Sequence, residues 1–163
     1  SRCVGGRRFN IFTFVDINNG SGRWVMDVMS GIENNGVTAL ENGCNGELLL
    51  LPAIRKADHT AVSILLQSVP FGPKRTNVGI YYKELSSESD YESPTVIASN
   101  WDGSFQITEL GSAYSTMVLQ KNKTIGFLYE EETFCDTSGG GYSIVYQNLS
   151  LSQITNGLYE IRE

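Results

Sequence analysis

The chain alternates short apolar runs with clusters of Gly, Asn, Asp and Ser. The runs read "FNIFTFVDI", "RWVMDVMS", "GELLLLPAI", "AVSILLQSV", "NVGIYYKEL", "SFQITEL", "YSTMVLQ", "TIGFLYEE", "YSIVYQNLS" and "LYEIR". Each has period-two alternation or is apolar throughout over the length of a strand, the pattern of a pleated sheet with one or both faces buried. Val, Ile, Tyr and Thr enrichment suits such surfaces. Turn signals recur every ~8–12 residues, the spacing of an all-β sandwich, barrel or propeller. "NNGSG" and "NKT" predict tight reversals, and "TSGGG" a flexible loop. Only "SLSQIT" reads as helix, a single turn capped by Ser150 or Ser152. With no linker and no low-complexity segment, residues 1–163 form one continuous all-β unit.

A weak internal rhythm overlies these runs. "TFVDINNGSGRW" holds a strand, an aspartate, a glycine and a tryptophan, and "GIYYKELSSESDYESPTVI" follows its strand with a polar turn and a second strand. About one hairpin per repeat is what a β-propeller produces.

Composition narrows the function classes. At 163 residues the chain can bury a real core. With 10% aromatic and 18% charged residues it is a packing sequence rather than a disordered one. A net charge of −6 argues against a nucleic-acid partner, because no density of cations is present to neutralise phosphates. The few cations cluster as "RR" at 7–8 and "KR" at 74–75. Cys3, Cys44 and Cys135 lie far apart with no CxxC spacing, which removes zinc-ribbon and thioredoxin readings. That spacing is compatible with one disulfide plus a thiol and with three reduced thiols. His59, in "RKADHTA", cannot build a multi-histidine metal site and reads as an exposed loop residue. No metal and no cofactor is expected. No apolar run approaches ~18 residues, so no membrane span is predicted. No signal peptide is legible in "SRCVGGRR". Sequons at Asn19, Asn122 and Asn148 carry weight only in a eukaryotic secretory protein.

"SAYSTMVLQKNKTIGFLYE", residues 112–130, is the most specific stretch, and it resembles a segment of the bacterial and trypanosomal sialidases. In that family a small residue precedes Tyr-Ser, then come a strand, a turn and Leu-Tyr-Glu. "GGGYSIVYQNLSLSQITNGLYEIR" is similar to the last strand and terminal helical turn of Bacteroides-like members. "GCNGELLLLP" with "LLQSVPFGPKRTNVGIYYKE" resembles the strand pair bearing the family's third active-site arginine. "SRCVGGRRFNIFTFVDINNGSGRW" resembles the segment that bears the second arginine and runs into an Asp-box turn. The Asp-box consensus itself is not met, since Phe14 stands where serine belongs.

The resemblance implies a fold, an activity and a set of site residues. The fold would be roughly the last two to three blades of a six-bladed β-propeller. The activity would be exo-α-sialidase hydrolysis of terminal sialic acid with retention, in a secreted, periplasmic or cell-surface enzyme whose partner is a sialylated glycoconjugate. Sialidases depart from the two-carboxylate scheme of most glycosidases by using a tyrosine nucleophile. The physical reason is that a carboxylate nucleophile approaching the anionic substrate meets Coulomb repulsion, which a neutral phenol avoids when a glutamate takes its proton. By position, Tyr114 would be the nucleophile and Arg75 the third carboxylate-binding arginine. Arg8, or its neighbour Arg7, would be the second arginine, and Glu130 would match the glutamate that fixes the first. The first arginine, the acid/base aspartate and the tyrosine's glutamate partner are expected in a preceding N-terminal half.

Each residue has a plainer reading. Tyr114 reads as a half-buried strand aromatic, Arg75 as a solvated turn cation, Arg7 and Arg8 as an exposed pair. Glu130, in "EEE", reads as part of a solvated acidic edge. Trp101, in "SNWDG", reads as packing before it reads as a wall for the leaving group. The alternative functions are a non-catalytic carbohydrate-binding or scaffold β-domain and an unrelated β-sandwich adhesin.

Overall fold

A computed structural model describes residues 2–3, 6–29, 44–135 and 139–162, with side chains over 9–25, 44–133 and 140–162. The chain is mostly β, with few helices and antiparallel sheets. The strands are β1 (Arg2–Cys3), β2 (Gly6–Asp16), β3 (Ser21–Met29), β4 (Leu48–Arg55), β5 (Thr60–Pro70) and β6 (Val78–Leu85), followed by β7 (Gly103–Gln106), β8 (Ser112–Leu119), β9 (Ile125–Cys135), β10 (Gly139–Leu149) and β11 (Tyr159–Ile161). Two short helices, α1 (Pro94–Ala98) and α2 (Leu151–Ile154), and a 3₁₀ turn at Glu88–Tyr91 complete the described elements. No helix among the described residues is long and apolar enough to cross a membrane.

The strands form three antiparallel sheets, ordered β1-β2-β3, β10-β9-β8 and β11-β4-β5-β6-β7. Alternation decides what each strand buries. On β4, Leu51 and Ala53 turn inward while Leu48 and Leu50 stay exposed. The core joins Leu51, Ile64, Leu66, Val78 and Ile80 of the five-stranded sheet to Met117, Ile125, Phe127 and Leu149 of the three-stranded one. Leu151 and Ile154 of α2 close it. Burying each large side chain contributes about 1.5–3 kcal/mol. β5 is buried without alternation from Ile64 to Pro70, its Leu65 joining a second cluster with Phe9, Leu85, Ala98 and Trp101 on the other face.

Two expectations about local structure need correction. "PTVI" is helical rather than the second strand of a repeat: the Ser93 hydroxyl accepts the Thr95 N–H at 3.2 Å, and Pro94 occupies the first turn, where its missing N–H costs nothing. The Lys83 ammonium then donates to the carbonyls of Val96 and, at 2.7 Å, Ser99 at the helix end. The glycines of "TSGGG" are strand rather than loop, since Gly139, Gly140 and Gly141 pair with Cys135, Phe134 and Thr133. Pairing with a long partner strand overrides glycine's preference for turns. The helical turn at "SLSQIT" is present, with Ser150 as its cap and Gln153 completing a capping box. His59 lies exposed in the β4–β5 turn.

Candidate functional site

The loop "FGPKRTN" between β5 and β6 is closed on itself. The Phe71 N–H donates to the Asn77 carbonyl at 2.9 Å and the Gly72 N–H to the Thr76 carbonyl at 3.1 Å. The Thr76 hydroxyl donates to the Pro73 carbonyl at 2.7 Å, and the Asn77 amide donates to the Gly72 carbonyl. Lys74 and Asn77 take φ of 57° and 58°, left-handed values that side chains other than glycine adopt seldom. Strain of this kind persists where the surroundings over-determine it.

The same loop is stitched to the start of β8. The Arg75 carbonyl accepts the Ser112 N–H at 2.8 Å, the Asn77 N–H donates to the Leu110 carbonyl at 3.1 Å, and the buried Ser112 hydroxyl accepts the Val78 N–H at 2.8 Å. Arg75 is thereby brought to Tyr114. Its guanidinium carbon lies 5.5 Å from the centre of the Tyr114 ring, a cation–π arrangement.

Tyr114 sits on a β-bulge. Ser112 pairs with Glu131 and Ser115 with Tyr129, so Ala113 and Tyr114 together oppose Glu130 alone. The bulge keeps Ser112, Ala113, Ser115 and Met117 buried while Tyr114 stands half-exposed. The Glu130 carboxylate accepts the Tyr114 backbone N–H at 3.3 Å, so it sits across the bulge from the phenol's own backbone. Thr116, Leu128, Ile144 and Tyr146 share the exposed side of this sheet.

Two hollows flank the Arg75–Tyr114 contact. One, of about 400 Å³, is lined by Asn45, Glu47, Tyr114, Thr116, Leu128 and Glu130 among others. The other, of about 540 Å³, is lined by Lys74, Arg75, Thr76, Gly111, Glu132 and Tyr142. Asn45 and Glu47 are site residues that sequence reasoning missed. Their backbone is tied down: the Asn45 carbonyl accepts the Ser115 N–H at 3.3 Å, and Glu47 exchanges bonds with Ser68 at 2.9 and 3.0 Å. Glu47 also accepts the Thr116 hydroxyl at 3.0 Å. The buried Ser68–Ser115 hydroxyl pair, at 2.9 Å, locks that segment to β8. "GCNGE" gives no signal of this beyond its glycines, because the link is made at long range.

The electrostatic state of Arg75 separates it from a structural arginine. Arg55 donates to Glu84 at 2.5 and 2.9 Å and to Asp58 at 2.6 Å. Among the described residues no carboxylate lies within ion-pair distance of Arg75. An exposed cation held over a ring in this way can accept an external anion.

Arg7 and Arg8 lie on β2, their backbones opposite Arg2 and Met29, and their side chains fall outside the described residues. The neighbouring Phe9 begins an aromatic row that leads toward the loop of Arg75. Its rings are spaced 6.4 Å from Phe9 to Trp101, 6.1 Å from Trp101 to Tyr81 and 4.6 Å from Tyr81 to Phe71. Trp101 is buried within this row, its indole N–H donating to the Ala98 carbonyl at 3.0 Å. It is a packing residue. A third, apolar hollow of about 470 Å³ between Phe9, Trp24, Leu48, Leu50 and Tyr91 brings no charged group together. No group of His, Cys, Asp and Glu among the described residues could hold a metal ion.

No protein-family model matches the chain. No curated protein matches it either.

Proposed function

We propose that this chain carries the C-terminal part of the catalytic domain of an exo-α-sialidase, with Tyr114 as nucleophile and Arg75 as a ligand of the substrate carboxylate. The observation that carries this reading is the meeting of Arg75, Tyr114 and Glu130 at one bulge, with the guanidinium unpaired by carboxylates of the described residues. Three positions singled out by resemblance to one family, 16 to 55 residues apart in sequence, converge there. A planar guanidinium gives a carboxylate two charge-assisted bonds, which fixes the sugar's orientation.

In the glycosylation step the Tyr114 oxygen bonds to the anomeric carbon as the bond to the leaving oxygen breaks. The phenol proton passes to a carboxylate, and the leaving oxygen takes a proton from an acid. Water then displaces the tyrosine, so configuration is retained. The acceptor and the acid are groups that the family supplies from a preceding half of the domain, together with its first arginine. The β4–β5–β6–β7 meander has the make-up of one propeller blade, which supports the blade reading of the fold. Exposed Trp24, Ile144 and Tyr146 suit contact with neighbouring blades. Because its substrates decorate glycoconjugates, the enzyme would work at the cell surface, in the periplasm or after secretion.

The test is turnover of an aryl sialoside by the full-length protein. Tyr114→Phe should lower kcat by about a thousandfold or more while sialic acid binding stays measurable. Arg75→Ala should instead weaken binding of the acid. Undiminished turnover in Tyr114→Phe would remove it from the mechanism, and wild-type binding without turnover would favour the carbohydrate-binding alternative.

A further inference from the structure

In an Asn-Gly pair the glycine nitrogen can attack the asparagine side chain, because glycine has no Cβ to block the approach. Among the described residues the pair occurs at 19–20, 45–46 and 156–157. The attack needs a backbone N–H that no acceptor holds and a side-chain amide open to water. At 156–157 the first condition fails, since the Gly157 N–H donates to the Ser152 carbonyl at 2.7 Å.

At 45–46 both conditions are met. Cys44 is fully buried while Asn45 is exposed, and Asn45 and Gly46 line the hollow shared with Tyr114, Thr116 and Glu130. The Asn45 carbonyl accepts the Ser115 N–H at 3.3 Å. A trans peptide sets its N–H opposite its carbonyl, so the Gly46 N–H faces away from β8. It meets no acceptor among the described residues. The bonds between Glu47 and Ser68, at 2.9 and 3.0 Å, keep the pair at this edge of the hollow.

We propose that Asn45 is a self-modification site that ages the hollow beside Tyr114. The Gly46 nitrogen bonds to the side-chain carbonyl carbon of Asn45 as that carbon's bond to the amide nitrogen breaks. The Gly46 proton leaves with the amide group as ammonia, and a cyclic imide remains. Water then opens the ring, its hydroxyl adding to one carbonyl and its proton returning to the Gly46 nitrogen. Opening at the side-chain carbonyl leaves aspartate. Opening at the main-chain carbonyl leaves isoaspartate, with the chain running through the former side chain.

Either product puts a carboxylate where a neutral amide stood, in a hollow that already holds Glu47 and Glu130. Isoaspartate also displaces the carbonyl that accepts the N–H of Ser115, the residue next to Tyr114. The effect on a ligand rests on the sialidase reading: a third carboxylate repels an anionic sugar. Binding would therefore weaken as the protein ages, with no second enzyme required. Asn19–Gly20 is the internal comparison. Its glycine N–H is likewise unheld among the described residues, but it lies in the β2–β3 turn.

Peptide mapping of the full-length protein held in mildly alkaline buffer tests the chemistry. Aspartate and isoaspartate should accumulate at Asn45 and Asn19 and not at Asn156. Gly46→Ala should slow conversion at Asn45 alone. Asn45→Gln, whose longer side chain closes the ring poorly, should resist it as well. Asn45→Asp should weaken sialic acid binding about fivefold, the effect of one like charge at close range in water, while Asn19→Asp leaves it unchanged. Absence of conversion at Asn45 overturns the site. Conversion there with wild-type affinity in Asn45→Asp overturns its effect on the hollow. If fresh wild-type protein binds no sialic acid, the sialidase reading falls, and the map at Asn45 still decides the modification.

Discussion

Arg55 and Arg75 show how surroundings assign a role to one residue type. Arg55 spends its donors on Glu84 and Asp58, whereas Arg75 faces a ring. "KR" before a strand and "YS" opening one were legible because residue types and order are one-dimensional facts. Their contact was not, since it depends on a loop folded back on β8. Gly111 makes the same point at a single atom. A methyl there would meet Glu132 at both its carboxylate and its Cβ, the latter at 2.9 Å. Gly111→Ala should cost about 1–3 kcal/mol, read from the urea midpoint. Adding Glu132→Ala should return part of that loss, a coupling that a double-mutant cycle measures. Additive losses would show that the crowding is relieved elsewhere.

Among the elements, β11 is the shortest strand in its sheet and depends on a side-chain anchor. The Tyr159 hydroxyl donates to Glu84 at 2.9 Å, and Arg55 holds the same carboxylate. Hydrogen bonding from Arg55, against an opposing desolvation, holds the Glu84 carboxyl below its ordinary 4.5. Burial first, then the bond to Glu84, pushes the Tyr159 hydroxyl up to about 12 from an ordinary 10.0. The two signs are opposite. The Glu84 contribution is complete above its unfolded value and is lost as pH falls through the lower folded one. The Tyr159 contribution is complete below 10.0 and is lost as pH rises toward about 12. Tyr159→Phe should cost about 1–2 kcal/mol at neutral pH, flatten the alkaline limb of urea midpoint against pH, and weaken the acid limb in part, because Arg55 still holds the Glu84 carboxyl low. An unchanged alkaline limb would mean that other tyrosines set it.

Element identity was legible wherever apolar alternation was strong, and the runs from "GELLLLPAI" to "LYEIR" each fall on a strand. It failed where local preference and tertiary pairing disagree. "TVI" favours strands, yet a serine cap and a proline start a helix. Three successive glycines favour a turn, yet β9 holds them in register. The bulge at Tyr114 leaves no trace in the alternation, because Ala113 is small enough to pass for either face.

At the scale of the whole molecule, β5 lies between two apolar clusters and couples them. Phe127 sits in the larger cluster, fully buried where the three-stranded sheet meets the five-stranded one. Phe127→Ala should cost about 3–5 kcal/mol, the sum of lost transfer energy and a cavity between sheets. Phe14→Ala, on an exposed strand position, should stay within about 0.5 kcal/mol. Chemical denaturation of both variants checks the contrast. Equal losses would mean that Phe14 is covered in solution.

The bulge also divides the labour of mutation between the two sides of β8. From Ser115 onward the strand alternates normally, so the residues that pack the core can change without turning the tyrosine. From Ser112 backward, the backbone belongs to the loop of Arg75. Tyr114 therefore inherits its position from the arginine's side and its tolerance from the core's. Core substitutions in this sheet therefore change its stability without turning Tyr114, while an insertion or deletion within residues 112–114 would part the tyrosine from Arg75.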